Sequence, residues 1–238
     1  MRTTIALVTG ANKGLGRETA RRLAGAGWEV FLTARDGHRG AQVAAELAVG
    51  GARVHFCPLD VTVQESVDAA AEFVRSTAGR LDVLVNNAGV GGRDSHPAET
   101  RAEDLREVFE TNVFGPVRVI TAFLPLLRGS ADPRIIVVSS GMGSIATITD
   151  PKWKDLVRPT LGYPTSKAAL NMLTTLYAQA LEGIRVNAVD PGFTATDLNG
   201  HTGFQTLEQG TDAIVDLATV GLEGPTGGFF DRNGSMPW

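Results

Sequence analysis

A glycine turn at the end of an apolar segment constrains this chain more than any other feature. Ile5-Ala6-Leu7-Val8 runs directly into Thr9-Gly10-Ala11-Asn12-Lys13-Gly14-Leu15-Gly16. A short continuous apolar run reads as a buried strand. Ala20, Leu23 and Ala24 then give the next segment an apolar face at helical spacing. Strand, bare turn and helix in that order leave backbone N–H groups and the positive end of a helix open to an anion. A pyrophosphate suits that arrangement, so Gly10, Asn12, Lys13, Gly14, Leu15 and Gly16 are expected to hold a dinucleotide. The glycines follow Thr-Gly-x-x-x-Gly-x-Gly, which departs from the stricter Gly-x-Gly-x-x-Gly. An ordinary strand-to-helix turn is therefore the alternative.

The same alternation continues along the chain. Strands are expected at 4–8, 29–33, 53–58, 81–85, 134–139 and 184–189, with a short last one near 228–230. Between them, Val67, Ala70, Ala71 and Val74 fall at i, i+3, i+4, i+7, as do Ala169, Met172, Leu173 and Leu176. Alternating β and α segments predict an α/β fold: a doubly wound parallel sheet with helices on both faces. Crossovers are right-handed, so the first three units wind one way and the rest return from the first strand. No linker or repeat interrupts the pattern, which reads as a single domain over 1–238.

Composition narrows the function. With 43% hydrophobic residues among 238, the chain can bury a sizeable core. The formal charge of −4 and the lack of a basic stripe argue against nucleic acid as a partner. No apolar stretch is long enough to span a bilayer, so no membrane partner is expected. The chain reads straight into a strand, so no signal peptide is expected. The one cysteine, Cys57, precludes an internal disulfide and points to a reducing, cytoplasmic setting. It reads as a small core residue. No Cys, His, Asp and Glu cluster has metal-ligand spacing.

Residues near the expected strand ends carry the chemistry. Arg35 follows the second strand, at the point where a nucleotide-binding unit meets a ribose 2′-hydroxyl or 2′-phosphate. Lys13, Arg35 and Arg39 would surround a 2′-phosphate and favour NADP(H), whereas Asp36 would suit a 2′-hydroxyl. Arg35 and Arg39 as a solvated surface pair is the plainer reading. Asp60, with Val61 beside it, is expected at the adenine end; Asp60 or Thr62 can equally cap the helix that follows. Asn86-Asn87-Ala88-Gly89 ends the fourth strand, where Asn86, Ala88 and Gly89 would border the cofactor. A simple turn is the alternative.

Tyr163-Pro164-Thr165-Ser166-Lys167 places a phenol and an ammonium four residues apart on one helix face. Pro164 requires the helix to begin near 161–163. A nearby ammonium favours the phenolate and lowers the tyrosine pKa from about 10 toward neutrality. Such a phenol can exchange a proton with a carbonyl or an alcohol. Taken alone, the pair also fits ordinary i,i+4 surface pairing. Ser140 ends the fifth strand, where its hydroxyl can hold a substrate oxygen or cap a turn. Asn112 falls on a buried stripe with Leu105, Val108, Phe109 and Val113, so its amide needs partners. Those partners are either a neighbouring backbone group or a water beside Lys167.

Together, Thr9–Gly16, Asn86–Gly89, Asn112, Ser140, Tyr163-x-x-x-Lys167 and Pro191-Gly192 resemble the short-chain dehydrogenase/reductase family. The Thr-Ala-Arg-Asp run at 33–36 and Thr-Asn-Val-Phe-Gly at 111–115 resemble its carbonyl-reductase-like branch, which uses NADPH. The resemblance implies a Rossmann-type fold with Tyr163 as general acid and base. Lys167 would tune it and bond the nicotinamide ribose. Ser140 would orient the carbonyl, Asn112 would position a relay water, and Pro191, Gly192 and Thr194 would lie against the nicotinamide. The implied activity is interconversion of a ketone or aldehyde and an alcohol by an NADP(H)-dependent oxidoreductase. A non-catalytic NADP(H)-sensing regulator is the rival, and a nucleotide-sugar epimerase would need a larger C-terminal region.

The expected substrate pocket is formed by 90–97, 141–159 and 193–204, with Met142, Ile145, Trp153, Phe193, Leu198 and Phe204 as its apolar walls. Trp153 as a surface anchor for its loop is the alternative. The segment 149–159 is only a modest insertion compared with the longer one of monomeric carbonyl-reductase-like members. A homo-oligomer and a monomer both stay open.

Overall fold

The computed structural model describes residues 3–153 and 159–238. Eight strands form one sheet: β1 (Ile5–Val8), β2 (Glu29–Ala34), β3 (Val54–Pro58), β4 (Val83–Asn86), β5 (Arg134–Val138), β6 (Arg185–Val189), β7 (Phe229–Asp231) and β8 (Gly234–Ser235). Their order is β3-β2-β1-β4-β5-β6-β7-β8, parallel throughout except for the last pair. The direction of winding reverses between β1 and β4, as the right-handed crossovers require. That reversal opens a crevice beyond the carboxyl ends of these strands.

Eight α-helices cover the sheet: α1 (Gly14–Gly25), α2 (Gly37–Leu47), α3 (Gln64–Ala78), α4 (Ala102–Phe109), α5 (Gly115–Arg128), α6 (Ile145–Thr149), α7 (Gly162–Ala180) and α8 (Leu207–Thr219). Successive strand residues point to opposite faces, which divides the core in two. On one face Ile5 and Leu7 pack with Val67 and Val74 of α3, Val119 and Phe123 of α5 and Leu170 of α7. On the other, Ala6 and Val8 pack with Ala20 and Leu23 of α1, Val43 of α2 and Ile214 and Leu217 of α8. Burial on both faces explains why the strands read as unbroken apolar runs. Cys57 lies in the first cluster, and burial pushes its thiol up to about 12.

Two expectations need correction. The final hairpin strand β8 has no hydrophobic signature; its turn depends on Gly234 at φ +126° and on the Asp231 carboxylate, which accepts the Asn233 N–H at 2.7 Å. The apolar stripe of α7 faces outward, with Met172 60% and Leu176 52% exposed. The buried face of α7 carries Ser166, Lys167, Leu170, Asn171 and Thr174. That helix turns polar groups inward because they build the site described below. Among the described residues no helix is long and apolar enough to cross a membrane.

Asp82 ties the amino ends of two central strands together. Its carboxylate accepts the Ile5 N–H at 2.8 Å, the Ser130 hydroxyl at 2.6 Å and the Arg80 guanidinium at 3.2 Å. Asp82→Ala strands these donors and is expected to lower stability by about 2–3 kcal/mol. The urea unfolding midpoint measures the loss, with the m-value unchanged.

Candidate active site

The glycine turn behaves as its composition requires. Gly10 and Gly14 have φ of +63° and +54°, a region that disfavours other residues. At Gly16 a Cβ would sit 2.4 Å from Asn87 Nδ2, so only glycine lets α1 start this close to β4. The N-cap of α1, Lys13, makes no side-chain capping bond, and the first turn holds no acidic residue. The leading N–H groups of α1 are thus left to an external acceptor, as a phosphate site requires.

Thr9 and Asn87 join this turn to the end of β4. Thr9 Oγ1 accepts the N–H groups of Asn87 and Ala88 at 2.9 and 3.0 Å, and Asn87 Nδ2 donates to the Thr9 carbonyl at 2.8 Å. Asn86, the amide expected in the cleft, is the last residue of β4 and is buried beneath it. One position along a strand reverses the side-chain direction, so Asn87 borders the cleft instead.

The cleft encloses about 1180 Å³. Gly10, Asn12, Lys13, Gly14, Leu15 and Gly16 line its centre, and Arg35, Arg39, Asp60 and Val61 line one end. Ala88, Gly89, Ser140, Tyr163, Lys167, Pro191, Gly192 and Thr194 line the other. All the expected cofactor residues except Asn86 therefore share one cavity. A side pocket of about 360 Å³ adjoins it at Lys13, Arg17 and Arg39.

The charges at that end are unevenly committed. Lys13 Nζ bonds Asp197 at 2.7 Å, which also holds the Asp197 carboxyl below the usual range. Asp36 caps α2 by accepting the Arg39 N–H at 3.0 Å. Asp60 forms a tight turn rather than the helix cap: its carboxylate accepts the Thr62 N–H and hydroxyl at 2.9 and 2.7 Å, while Val63 caps α3. Burial works against the Asp60 charge, but the Thr62 bonds and Arg35 hold its pKa low. Neither Arg35 nor Arg39 is held in an ion pair among the described residues.

At the other end, α7 begins at Gly162, so Pro164 falls in its first turn. Gly143 lets the turn after Ser140 press against α7; a Cβ there would lie 2.6 Å from the Lys167 carbonyl carbon. The Ser140 hydroxyl meets the Tyr163 phenol and accepts the Met142 N–H at 3.2 Å. Lys167 Nζ lies 5.5 Å from the Tyr163 ring centroid and donates to the Val138 carbonyl at 2.7 Å.

This geometry revises the expected acidity. Burial pushes the phenol of Tyr163 up to about 12, the Ser140 bond pulls it down, and Asp190 pushes it up. Burial pulls the Lys167 ammonium down to about 8, against the charge of Asp190. The lysine does not lower the tyrosine pKa toward neutrality here, because its ammonium points at Val138 and not at the phenol oxygen.

Asn112 lies within a π turn, Glu110–Phe114, between α4 and α5. Its amide accepts the Val90 N–H at 2.9 Å and donates to the Val90 carbonyl at 2.9 Å and to Ser166 Oγ at 3.0 Å. Asn112 is buried outside the cleft lining, so its side chain serves a neighbouring backbone group. Thr194 likewise turns into its own loop and donates to the Pro191 carbonyl at 2.8 Å.

The expected substrate walls are partly displaced. Met142, Phe193 and Leu198 border the cleft, whereas Ile145 is 72% exposed outside it. Phe204 packs edge-on against Phe193 at 5.8 Å instead of lining the cavity. The side chain of Trp153 and residues 154–158 lie outside the described part. Arg93, Asp94 and Asn199 of the expected loops also line it, with Thr160 just beyond them, which makes it more polar than the apolar walls expected.

Known proteins share this architecture. Residues 4–205 match the family model described as short chain dehydrogenase. The (+)-neomenthol dehydrogenase of Arabidopsis thaliana is 35% identical, with 95% of each chain covered. The short-chain dehydrogenase anuI of Penicillium roqueforti is 39% identical over 91% of this chain and 89% of that protein. The crystal structure of NADPH-bound carbonyl reductase from chicken fatty liver superposes with a TM-score of 0.88 at 31% identity, covering 100% of both chains.

Burial of Lys167 carries a signed prediction. Its folded pKa, about 8, lies below the ordinary 10.5, so between these values the unfolded chain binds more protons. Stability from this group rises with pH across that window. The melting temperature of Lys167→Met relative to the parent should therefore fall steadily from pH 8 to pH 10. A constant difference would show that the ammonium is not desolvated.

Proposed function

The chain belongs to the short-chain dehydrogenase/reductase family, and from that premise we propose that it is an NADP(H)-dependent oxidoreductase interconverting a ketone or aldehyde and an alcohol. The observation that carries the proposal is the meeting of Ser140, Tyr163 and Lys167 in one cavity with the glycine turn. The open N-terminus of α1 suits a pyrophosphate, and Arg35 and Arg39, outside any ion pair among the described residues, suit a 2′-phosphate. NADP(H), when bound, supplies or accepts the hydride.

The protein's own groups do the rest. Ser140 orients the carbonyl oxygen and stabilises the charge that develops there. Tyr163 gives its proton to that oxygen in reduction and takes it back in oxidation. A phenol pushed up by burial keeps its proton in the free enzyme, as an acid must. Lys167 would hold the nicotinamide ribose when the cofactor is bound, and it replenishes the proton of Tyr163. Asn112 positions a water that links Lys167 to solvent. Pro116 supports that role, because it has no N–H to pair with the Asn112 carbonyl in a regular helix. The substrate is a small molecule, and the chain acts without nucleic acid or membrane, in the cytoplasm. The NADP(H)-sensing alternative has no use for a buried phenol beside a serine.

A panel of aldehydes and ketones with NADPH, followed at the reduced-nicotinamide absorbance, tests the reading. Tyr163→Phe should cut turnover by roughly 100- to 10,000-fold with cofactor affinity retained. No oxidation of NADPH by the parent protein across the panel would reject the enzyme reading. Arg35→Ala should weaken NADPH binding by about 10- to 100-fold while leaving NADH binding nearly unchanged. Equal losses would remove the 2′-phosphate assignment.

A further inference from the structure

Asp190 follows the last residue of β6 and precedes Pro191, and it does not line the cleft. One carboxylate oxygen accepts the Gly192 N–H at 3.0 Å. The other faces Gly141: a Cβ on that glycine would lie 2.9 Å from Asp190 Oδ2, and the Gly141 N–H pulls the carboxyl pKa down. Its own N–H is spent on the Phe230 carbonyl at 2.8 Å, which fixes the backbone from the β7 side. One side chain therefore bridges the turn that follows Ser140 and the turn that carries Gly192.

We propose that Asp190 is a positioning residue for catalysis: its side chain locks the Ser140–Gly141 turn to the Pro191–Gly192 turn and sets a carboxyl group behind the Tyr163–Lys167 pair. Two backbone N–H groups converge on this side chain, and only a group with two acceptor oxygens satisfies both. An asparagine would turn an NH₂ toward one of those donors. The charged and titratable groups acting on the carboxylate are Lys167 and Tyr163 from α7 and Asp231 from β7. Burial pushes the Asp190 carboxyl above the usual carboxylate range, the Gly141 and Gly192 N–H groups pull it down, Asp231 pushes it up and Lys167 pulls it down. In return the carboxylate favours the protonated forms of Lys167 and Tyr163. This deepens the carbonyl-reductase reading and rests on it for the catalytic consequence alone.

The test reads Lys167 directly. The chain contains four lysines, so the Cε resonances of a labelled sample can be resolved, with Lys167→Met giving the assignment. Asp190→Asn should lower the Lys167 titration midpoint by roughly one pH unit. Asp190→Ser, which keeps one acceptor without the charge, should do the same. An unshifted midpoint in either folded variant overturns the proposal. A reciprocal measurement needs no Asp190 variant. The Asp190 carboxyl resonance should shift as Lys167 titrates near pH 8 in the parent protein, and that step should vanish in Lys167→Met. Its absence in the parent would equally overturn the assignment. For turnover, the kcat/KM profile of Asp190→Asn should move to lower pH, a displacement that loosened packing alone does not produce. The resonance titrations hold whether or not the protein turns over. A parent without turnover therefore rejects the function above, and a flat titration rejects Asp190.

Discussion

Lys167 holds an ammonium in the protein interior, 4% exposed, with the Val138 carbonyl as its hydrogen-bond acceptor. An ion placed there is tolerated only where its surroundings are fixed, and the rest of the site follows from fixing them. Val138 is the last residue of β5, so the acceptor is a strand end anchored by neighbours on both sides. Helix α7 must then lie close against the turn that leaves β5. Gly143 permits that approach, and Ser139 reinforces it by bonding Asn171 one turn further along α7. Ser140 and Tyr163 are brought together as a consequence of this packing.

Much of this was legible because the sheet is parallel. A parallel strand covered on both faces must be apolar throughout, so β1, β4 and β5 could be read from composition alone. Their carboxyl ends all lie along one edge, so residues one or two positions past each strand are assigned to one crevice by the sequence pattern itself. The glycine turn, Arg35, Gly89 and Ser140 follow from that argument, whereas Gly192 follows from the family resemblance alone. Its resolution is one residue. Asn86 and Asn87 are chemically identical, and only the point where β4 ends decides which of them turns into the cleft.

Tertiary packing hid what remained. Periodicity assigned α7 an apolar inner face, but hydrophobicity was outweighed by the polar groups that this helix must present to the sheet edge. The acidity of Tyr163 was misjudged for a related reason. Spacing of four residues brings a lysine to the same helix face as a tyrosine, yet it does not say where the ammonium points. Here it points past the ring to Val138, so desolvation governs the phenol. Asp190 gave no sequence signal, since an acidic residue before Pro-Gly reads as turn chemistry. Its significance arises only when Gly141, 49 positions earlier in the sequence, closes on its other oxygen.

The places where local rules fail are concentrated around one centre. A π turn interrupts the run from α4 to α5 at Asn112, a helix faces its polar side inward, a lysine is buried, and a half-buried carboxyl group sits behind it. Each departure costs stability when taken alone, and none is needed to close a sheet of this topology. Three of them are joined directly or through one partner. Asn112 bonds Ser166, Ser166 bonds the Tyr163 carbonyl at 2.7 Å, and α7 carries the phenol and the ammonium together. Asp190 completes the set from the opposite side, through the turns on which Ser140 and Gly192 sit. A network with these connections resists independent change, because loss of any member leaves a buried donor or acceptor unpaired in another. These four departures therefore gather at the edge of the sheet where the fold leaves room for a ligand.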